Sequence, residues 1–452
     1  MRTAALKKDW TKGSVGGNLW SLSWPIMITQ SLVMIGPFVD QMWVGKLGAA
    51  SVAGVGVSGM VVQIVNSVTM GVFGGLRTMV ARSIGAGDTR GANQVMQQAF
   101  VLGAGFSVFM AALGLLFAEQ ALEVFGVAPD VAIEGAAYMR IQLIGMVTMS
   151  LLSITESAMQ ASGDAMTPMR INIFYRILHV VFVPFLIFGW WVFPRLGVSG
   201  AALTNVVAQG LGGILGLWFL FGGHSRLQPT FKNFRLDWSL IWRMLKIGIP
   251  TSITGIQRSL PYLVLLSFVA PFGTFAVAGY TVTRKIANLV MNPASSLGRS
   301  TGILAAQNLG AGQPERAARG GWLAAGFYTG AAVVVSLVVW FWAEQVVSIF
   351  NTEPGFIAVA ATFLRIQIAS YMLYGMVVVL SMCIEGAGDT MPIMLATLIS
   401  MWAVQIPLGY FLPRFSDLGA YGVEWAIAGA LLARGIFFVT YFRLDRWKRK
   451  KV

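Results

Sequence analysis

The chain repeats itself with an offset of 225 residues. Pro25 matches Pro250, Ala53-Gly54 matches Ala278-Gly279, and Gly85-Ala86-Gly87 matches Gly310-Ala311-Gly312. Glu119-Gln120 matches Glu344-Gln345, Arg140-Ile141-Gln142 matches Arg365-Ile366-Gln367, and Gly163-Asp164 matches Gly388-Asp389. Half of 452 is 226, so the chain is one unit written twice, end to end. Chance similarity between apolar segments does not hold one register over such a length. Whatever the first half folds into, the second half must also satisfy. In a membrane chain, two related halves are the usual construction of an alternating-access transporter.

A membrane is the solvent that the composition demands. Apolar residues make up 56% and charged residues 11%, with a mean hydropathy of +0.71, against about 25% charged residues in a soluble domain. Charge-poor runs of about 20 residues read as spanning helices. Twelve are expected, near 19–44, 52–76, 94–118, 136–162, 168–193, 198–223, 244–270, 276–303, 320–343, 360–386, 391–412 and 424–443. These are spans 1 to 12. The runs lack period-two alternation and are too long for barrel strands. The fold class is therefore all-α integral membrane. Six spans per half, an even number, insert both copies the same way up and make two parallel-repeat six-helix lobes. No cleavable signal peptide is read, because residues 1–18 are polar and basic and the first apolar run is too long. Cys383 is the single cysteine, which leaves no intrachain disulfide and no cysteine-based metal site.

Charge placement sets an orientation. Arg2, Lys7, Lys8 and Lys12 precede the first span, Arg226, Lys232, Arg235, Arg243 and Lys246 lie between the halves, and Arg443 to Lys451 close the chain. An even span count places all three on one side, and the positive-inside rule makes that side cytoplasmic. The opposite loops carry Glu119, Glu123, Asp130, Glu134, Glu344 and Glu353. The expected organisation is an N-lobe over 1–223, a cytoplasmic linker over 224–243, and a C-lobe over 244–452 with a basic cytoplasmic tail. Within the linker, Phe231 to Trp242 reads as an amphipathic stretch at the membrane interface or as a solvated loop. The expected location is a bacterial or archaeal plasma membrane, with both termini cytoplasmic. The net charge of +14 then serves orientation and attraction to anionic membrane lipids. Nucleic acid is not expected as a partner, because the basic residues sit as short flanks to apolar spans.

Several chemistries find no support. Gly54-Val55-Gly56-Val57-Ser58-Gly59 matches the dinucleotide fingerprint, but it opens an apolar helix where the fingerprint needs a strand before it; close helix packing by small residues is the better reading. No G-x-x-x-x-G-K-[ST] run occurs, and no ATPase subunit is implied, so pumping must draw on an ion gradient. His179 and His224 are the two histidines and lie in different regions. No metal site, cofactor or nucleophile cluster is read, and the chain is not expected to be an enzyme.

Polar residues inside the spans are more informative, because a charge at mid-bilayer costs about 2.5–3.5 kcal/mol on insertion scales. Asp40 is the sharpest. It follows Gly36-Pro37, shares a face of span 1 with Thr29, Val33 and Gly36, and lies beside a loosened turn. A carboxylate there can take and release a proton; the competing reading is an interfacial acid facing water near Lys46. The matching position in the second half is Leu265. Gln30 and Met34 also belong to span 1, and Gln63, Asn66 and Met70 share a face of span 2. Glu156 sits on span 4. Asn172, Arg176 and His179 follow a helical face of span 5, continued by Val183. In the second half, Gln257, Arg258 and Tyr262 lie on span 7, Arg284 and Asn288 on span 8, and Tyr371 and Tyr374 on span 10. Each alone is explained by interhelical hydrogen bonding, and Glu156 has Arg176 as an alternative partner. Together they imply a polar cavity. The 23 methionines suit a surface that accepts ligands of several shapes.

Several of these residues fall into known motifs. Val39-Asp40-Gln41-Met42-Trp43-Val44-Gly45-Lys46-Leu47-Gly48 resembles the first-helix signature of the MATE (multidrug and toxic compound extrusion) family. Ala81 to Asp88 and Ala306 to Gln313 resemble its paired cytoplasmic G-A-G turns. Gln160 to Asp164 and Glu385 to Asp389 resemble its paired turns after spans 4 and 10. The resemblance covers nearly the whole chain. It implies two six-helix lobes around a V-shaped cavity and secondary active export of amphipathic, often cationic, compounds in exchange for protons or sodium ions. It also implies Asp40 as the coupling acid, and span 1 is then expected to shift at a Gly36-Pro37 hinge beside it.

Departures from the family pattern lean the coupling ion toward H+ over Na+. His179 stands where many members have Asn, and Val183 where they have Asp. Gln257 and Arg258 occupy the part of span 7 where some members carry an acid, and the middle of span 10 has none. A sodium site wants several oxygen ligands, preferably carboxylates. Arg176 and Arg258 leave open an exporter of anionic or zwitterionic solutes, and a lipid-linked sugar flippase of the same superfamily is the other alternative.

Overall fold

In the computed structural model, which describes residues 9–223, 227, 229–232, 234–257, 260–450 and 452, every regular element is a helix. The first half runs α1 (Val15–Val44), α2 (Ala49–Gly85), α3 (Thr89–Glu123), α4 (Pro129–Ile144), α5 (Met146–Ala161), α6 (Met166–Phe188) and α7 (Val198–Phe221). The second runs α8 (Trp238–Gln257), α9 (Leu260–Val269), α10 (Thr274–Gly310), α11 (Pro314–Ser348) and α12 (Pro354–Gly386). It ends with α13 (Thr390–Ile399), a π-helical segment Ser400–Gln405, α14 (Ile406–Phe415) and α15 (Gly422–Arg443). The described part of each expected span falls on one of these helices or helix groups. Span 4 is the pair α4 and α5, bent by 45° at Gly145, where a Cβ would lie 2.2 Å from Val206 Cγ2. Span 7 is α8 and α9, and span 11 is α13 to α14 through the π segment.

Among the described residues, nine helices are long and apolar enough to cross a membrane, and ten if the bent pair counts as one span. α10 falls short because it carries Arg284, Lys285, Asn288, Asn292 and Arg299. These are the residues that make it interesting for function.

The duplication is physical as well as textual. Gly87 and Gly312 both take left-handed φ, 74° and 70°, which only glycine adopts readily and which lets the G-A-G turns reverse the chain. A Cβ on Gly54 would stand 2.7 Å from the Gly135 nitrogen, and one on Gly279 would stand 3.3 Å from the Ala360 Cα. The same helix seam thus recurs at the same offset, and Gly54 serves packing, not a phosphate. The ion pair Arg140–Glu119 at 2.9 Å returns as Arg365–Glu344 at 3.0 Å.

The chain divides into two compact units. One holds Trp24–Ser252, the other Trp10–Ser23 with Ile253–Val452. Both divides fall within two residues of a repeated proline, Pro25 or Pro250. In the first unit an apolar cluster of Val39, Val44, Tyr138, Val183, Ile187 and Val198 surrounds the C-terminal end of α1. In the second, Leu265, Tyr280, Phe363, Val423 and Ile427 form the corresponding core. The stretch from Phe231 is not one amphipathic helix. Residues 234–237 are irregular and helix begins at Trp238, with Asp237 Oδ1 accepting from the Leu240 nitrogen. The stretch is held by side chains: Gln98 donates to the Arg235 carbonyl at 2.8 Å, Gln97 donates to the Thr230 carbonyl, and Phe231 stacks on Phe221.

Candidate functional site

Asp40 is 2% exposed, so it does not face water at the end of α1. Lys46 is turned elsewhere, 4.3 Å above the Trp43 ring. A buried carboxylate needs partners, because desolvation costs several kcal/mol per ion. Asp40 has two. His179 Nε2 on α6 stands 3.0 Å from its Oδ1, without in-line hydrogen-bond geometry, so the contact is electrostatic. The Tyr138 hydroxyl on α4 acts on the same carboxylate electrostatically. His179 is wholly buried, and its Nδ1 lies 3.2 Å from Arg176 Nη1. A guanidinium can only donate, so Nδ1 accepts and the ring proton of a neutral His179 sits on Nε2, facing Asp40. Arg176, His179 and Asp40 therefore form a row whose end charges balance.

The row continues through polar side chains. Gln142 Nε2 donates to the Tyr138 hydroxyl at 3.0 Å, Asn205 Nδ2 donates to Gln142 Oε1 at 3.5 Å, and Gln209 Nε2 donates to Asn205 Oδ1 at 3.2 Å. Tyr138, Gln142 and Asn205 were not among the residues expected at the site. The only sequence signal for Gln142 was its place in the doubled Arg-Ile-Gln run. Val183 is fully buried in the surrounding apolar cluster and contributes hydrocarbon there.

Gly36 has a specific task. A Cβ there would lie 2.0 Å from Arg176 Nη1, so the bare backbone is the slot that admits the guanidinium. α1 runs helical through Gly36 and Pro37. We expect Gly36→Leu to fold, because the obstructing atoms are the end of a flexible side chain, but to displace Arg176 from His179. The check is the pH profile of transport alongside the apparent melting temperature: the profile should shift while melting changes little.

The other expected residues of this unit separate. Glu156 Oε1 accepts from Asn172 Nδ2 at 2.8 Å, while Arg176 reaches His179. Gln63, Met34 and Met70 are exposed, and Gln30 and Asn66 are half-buried. In the second unit Gln257 is 5% exposed and its Oε1 has no hydrogen-bond partner. Arg258 and the Tyr262 side chain lie outside the described residues. Asn288 is exposed, and Arg284 and Tyr374 are half-buried. Tyr371, fully buried, donates its hydroxyl proton to Gln367 Oε1 at 3.2 Å, and Gln367 Nε2 donates to Glu424 Oε1 at 2.9 Å. Sequence reasoning missed Glu424 because it opens span 12 and reads as a helix-end acid.

Comparison with known proteins places these features in context. The family model MatE matches the chain twice, over residues 25–185 and 250–411. A probable multidrug resistance protein, YoeA, of Bacillus subtilis (strain 168) is 27% identical over 95% of this chain and 93% of its own. A protein of Shewanella oneidensis named FAD transporter is 24% identical over 93% of this chain and 91% of its own. Among solved structures, one described as a crystal structure of MATE in the bent conformation aligns with a TM-score of 0.91 at 21% identity, covering 96% of both chains. That likeness speaks for the fold.

Proposed function

Starting from a chain that belongs to the MATE family, matched over both halves, we propose that it exports amphipathic organic cations by proton antiport through alternating access. The observation that carries the coupling is the buried row Asp40–His179–Arg176. With Asp40 ionised, the Arg176 charge is balanced within the row, and a cationic solute meets no net repulsion there. A proton reaching Asp40 removes the balancing charge. Arg176 is then a buried unpaired cation, a state that costs about 3–5 kcal/mol until new partners are found. That imbalance drives α1 to shift at Gly36-Pro37 and opposes a cation nearby. Protons fit the donor set better than sodium ions do, since Asp40 faces a histidine nitrogen, a tyrosine hydroxyl and hydrocarbon, whereas a hard cation collects several oxygen ligands. The setting is a bacterial or archaeal plasma membrane, with both termini cytoplasmic.

The test is uptake of a fluorescent cation such as ethidium into vesicles under separate proton and sodium gradients. A proton gradient alone should drive accumulation, and a sodium gradient alone should not. Equal accumulation under sodium alone would overturn the coupling assignment.

A second reading is favoured by one observation: Arg176 is a buried guanidinium, and one relative is named as a transporter of FAD, an anionic dinucleotide. Anionic or zwitterionic solutes are the cargo in that reading. Competition of ethidium uptake by matched cations and anions separates the two.

A further inference from the structure

Three acids are buried among the described residues: Asp40, Asp389, which is paired with Lys450 and Tyr441, and Glu424, which lies outside the row around Asp40. Its side chain is 1% exposed. Oε1 accepts from Gln367 Nε2, while Oε2 has no hydrogen-bond partner. The 225-residue offset puts Gln367 at the register of Gln142, and Gln142 is the residue tied through Tyr138 to Asp40. The same offset puts Leu265 opposite Asp40, Phe363 opposite Tyr138, and Ser199 opposite Glu424. In the second unit the repeated glutamine bonds the acid of the last helix directly, whereas in the first unit Gln142 bonds Tyr138, which acts electrostatically on the acid of the first helix.

We propose that Glu424 is a second proton-binding carboxylate, so that each unit carries one exchangeable proton. This rests on the proton-antiport reading above for its use in transport, though not for the binding itself. A buried charged carboxylate with one open oxygen lacks hydrogen bonds that its charged form needs, while the neutral acid leaves only one hydrogen bond unmade. Among the described residues, the surroundings supply one counter-charge. Arg284 on α10 and the Tyr371 hydroxyl on α12 act on the carboxylate electrostatically. Three other cations of the unit are engaged elsewhere: Arg365 with Glu344, Arg434 with Ser400, and Arg414 over the Tyr410 ring. A metal cation is a poor occupant. Gln367 turns its NH2 toward the acid and gives its oxygen to the Tyr371 hydroxyl, which leaves Oε2 as the open oxygen where a hard cation wants several.

The test is pH-difference infrared spectroscopy of the purified full-length protein, read in the carboxyl C=O region, on wild type, Asp40→Asn and Glu424→Gln. The expected result is two titrating buried carboxyls, one lost in each variant. Unchanged titrating bands in Glu424→Gln would overturn the proposal. Should that variant not fold, Gln367→Leu removes the hydrogen bond to Oε1 and must move the titration midpoint of the same band; an unmoved midpoint overturns it as well. In vesicles with the membrane potential clamped at zero, a gradient of one pH unit gives about hundredfold accumulation for two protons per solute and about tenfold for one. Glu424→Gln should therefore accumulate about tenfold less than wild type, and accumulation equal to wild type would count against the second proton. Loss of the Glu424 band with undiminished transport by Asp40→Asn sinks the Asp40 reading and leaves this one standing. The reverse pattern sinks this one alone.

Discussion

Asp40→Asn is expected to abolish concentrative uptake of ethidium under a pH gradient while the protein remains folded. One pH unit is worth about 1.4 kcal/mol per proton, or about tenfold in solute ratio; because Asp40 is the acid whose protonation drives the shift of α1, the variant should hold a ratio near one however large the gradient, even with the Glu424 proton still exchangeable. Asn keeps the shape and can still meet the Tyr138 hydroxyl and His179, so packing is largely conserved. It removes the carboxylate of the row, whose charge balances the fixed cation. It also leaves Arg176 without its balancing charge, which is the arrangement expected of the protonated wild type. His179→Asn should behave differently. It breaks the link between Arg176 and Asp40 but keeps the acid, so uptake should persist with an altered pH profile. Full accumulation by Asp40→Asn, in protein shown to be folded by size-exclusion chromatography, would remove Asp40 from the coupling role.

How far the sequence foretold this arrangement depends on what each feature needs. The architecture was legible because it follows from solvent: long charge-poor runs have to be helices in hydrocarbon, and a doubled pattern has to fold twice. Asp40 and His179 were legible as costly residues in such runs, but their contact was not, since it joins helices 139 positions apart in sequence. Gly36 looked like a hinge beside Pro37, and the structure shows in addition that it makes room for Arg176. No one-dimensional pattern announces which side chain approaches a glycine. Glu424 was hidden by position, because an acid in the first turn of a helix is commonplace. Its significance comes from burial and from Gln367, which the repeat had flagged only as a landmark. The bends at Gly145 and at the π segment Ser400–Gln405 were likewise invisible, because they are settled by neighbours rather than by local propensity.

Gly386→Leu is expected to have the largest effect on stability. Gly386 ends α12 where it crosses α10, and a Cβ there would lie 2.1 Å from the Gly302 carbonyl oxygen, 2.7 Å from its carbon and 2.8 Å from its Cα. A Cβ on Gly302 would in turn lie 2.6 Å from the Met382 carbonyl oxygen. Every obstructing atom is backbone, so no change of rotamer relieves the clash and the two helices must part. Helix association in lipid depends on close approach of backbones, with little hydrophobic force to compensate for a gap. Overpacking of a well-packed core typically costs about 1–3 kcal/mol, and a seam closed on both sides by main chain belongs at or above the upper end. The expected result is a lowered apparent melting temperature and loss of monodisperse protein in detergent. Gly105→Leu on α3 is the matched control: nothing lies within 4 Å of a Cβ there, and surface changes of that kind stay within about 0.5 kcal/mol. The functional consequence follows from the same seam. α10 carries Arg284, and α12 carries Gln367 and Tyr371. Separating the helices should therefore also disturb the Glu424 site in whatever protein survives, even though Gly386 lies 19 positions beyond Gln367 along α12. A Gly386→Leu protein as stable as the control would show that this seam is not what holds α10 against α12.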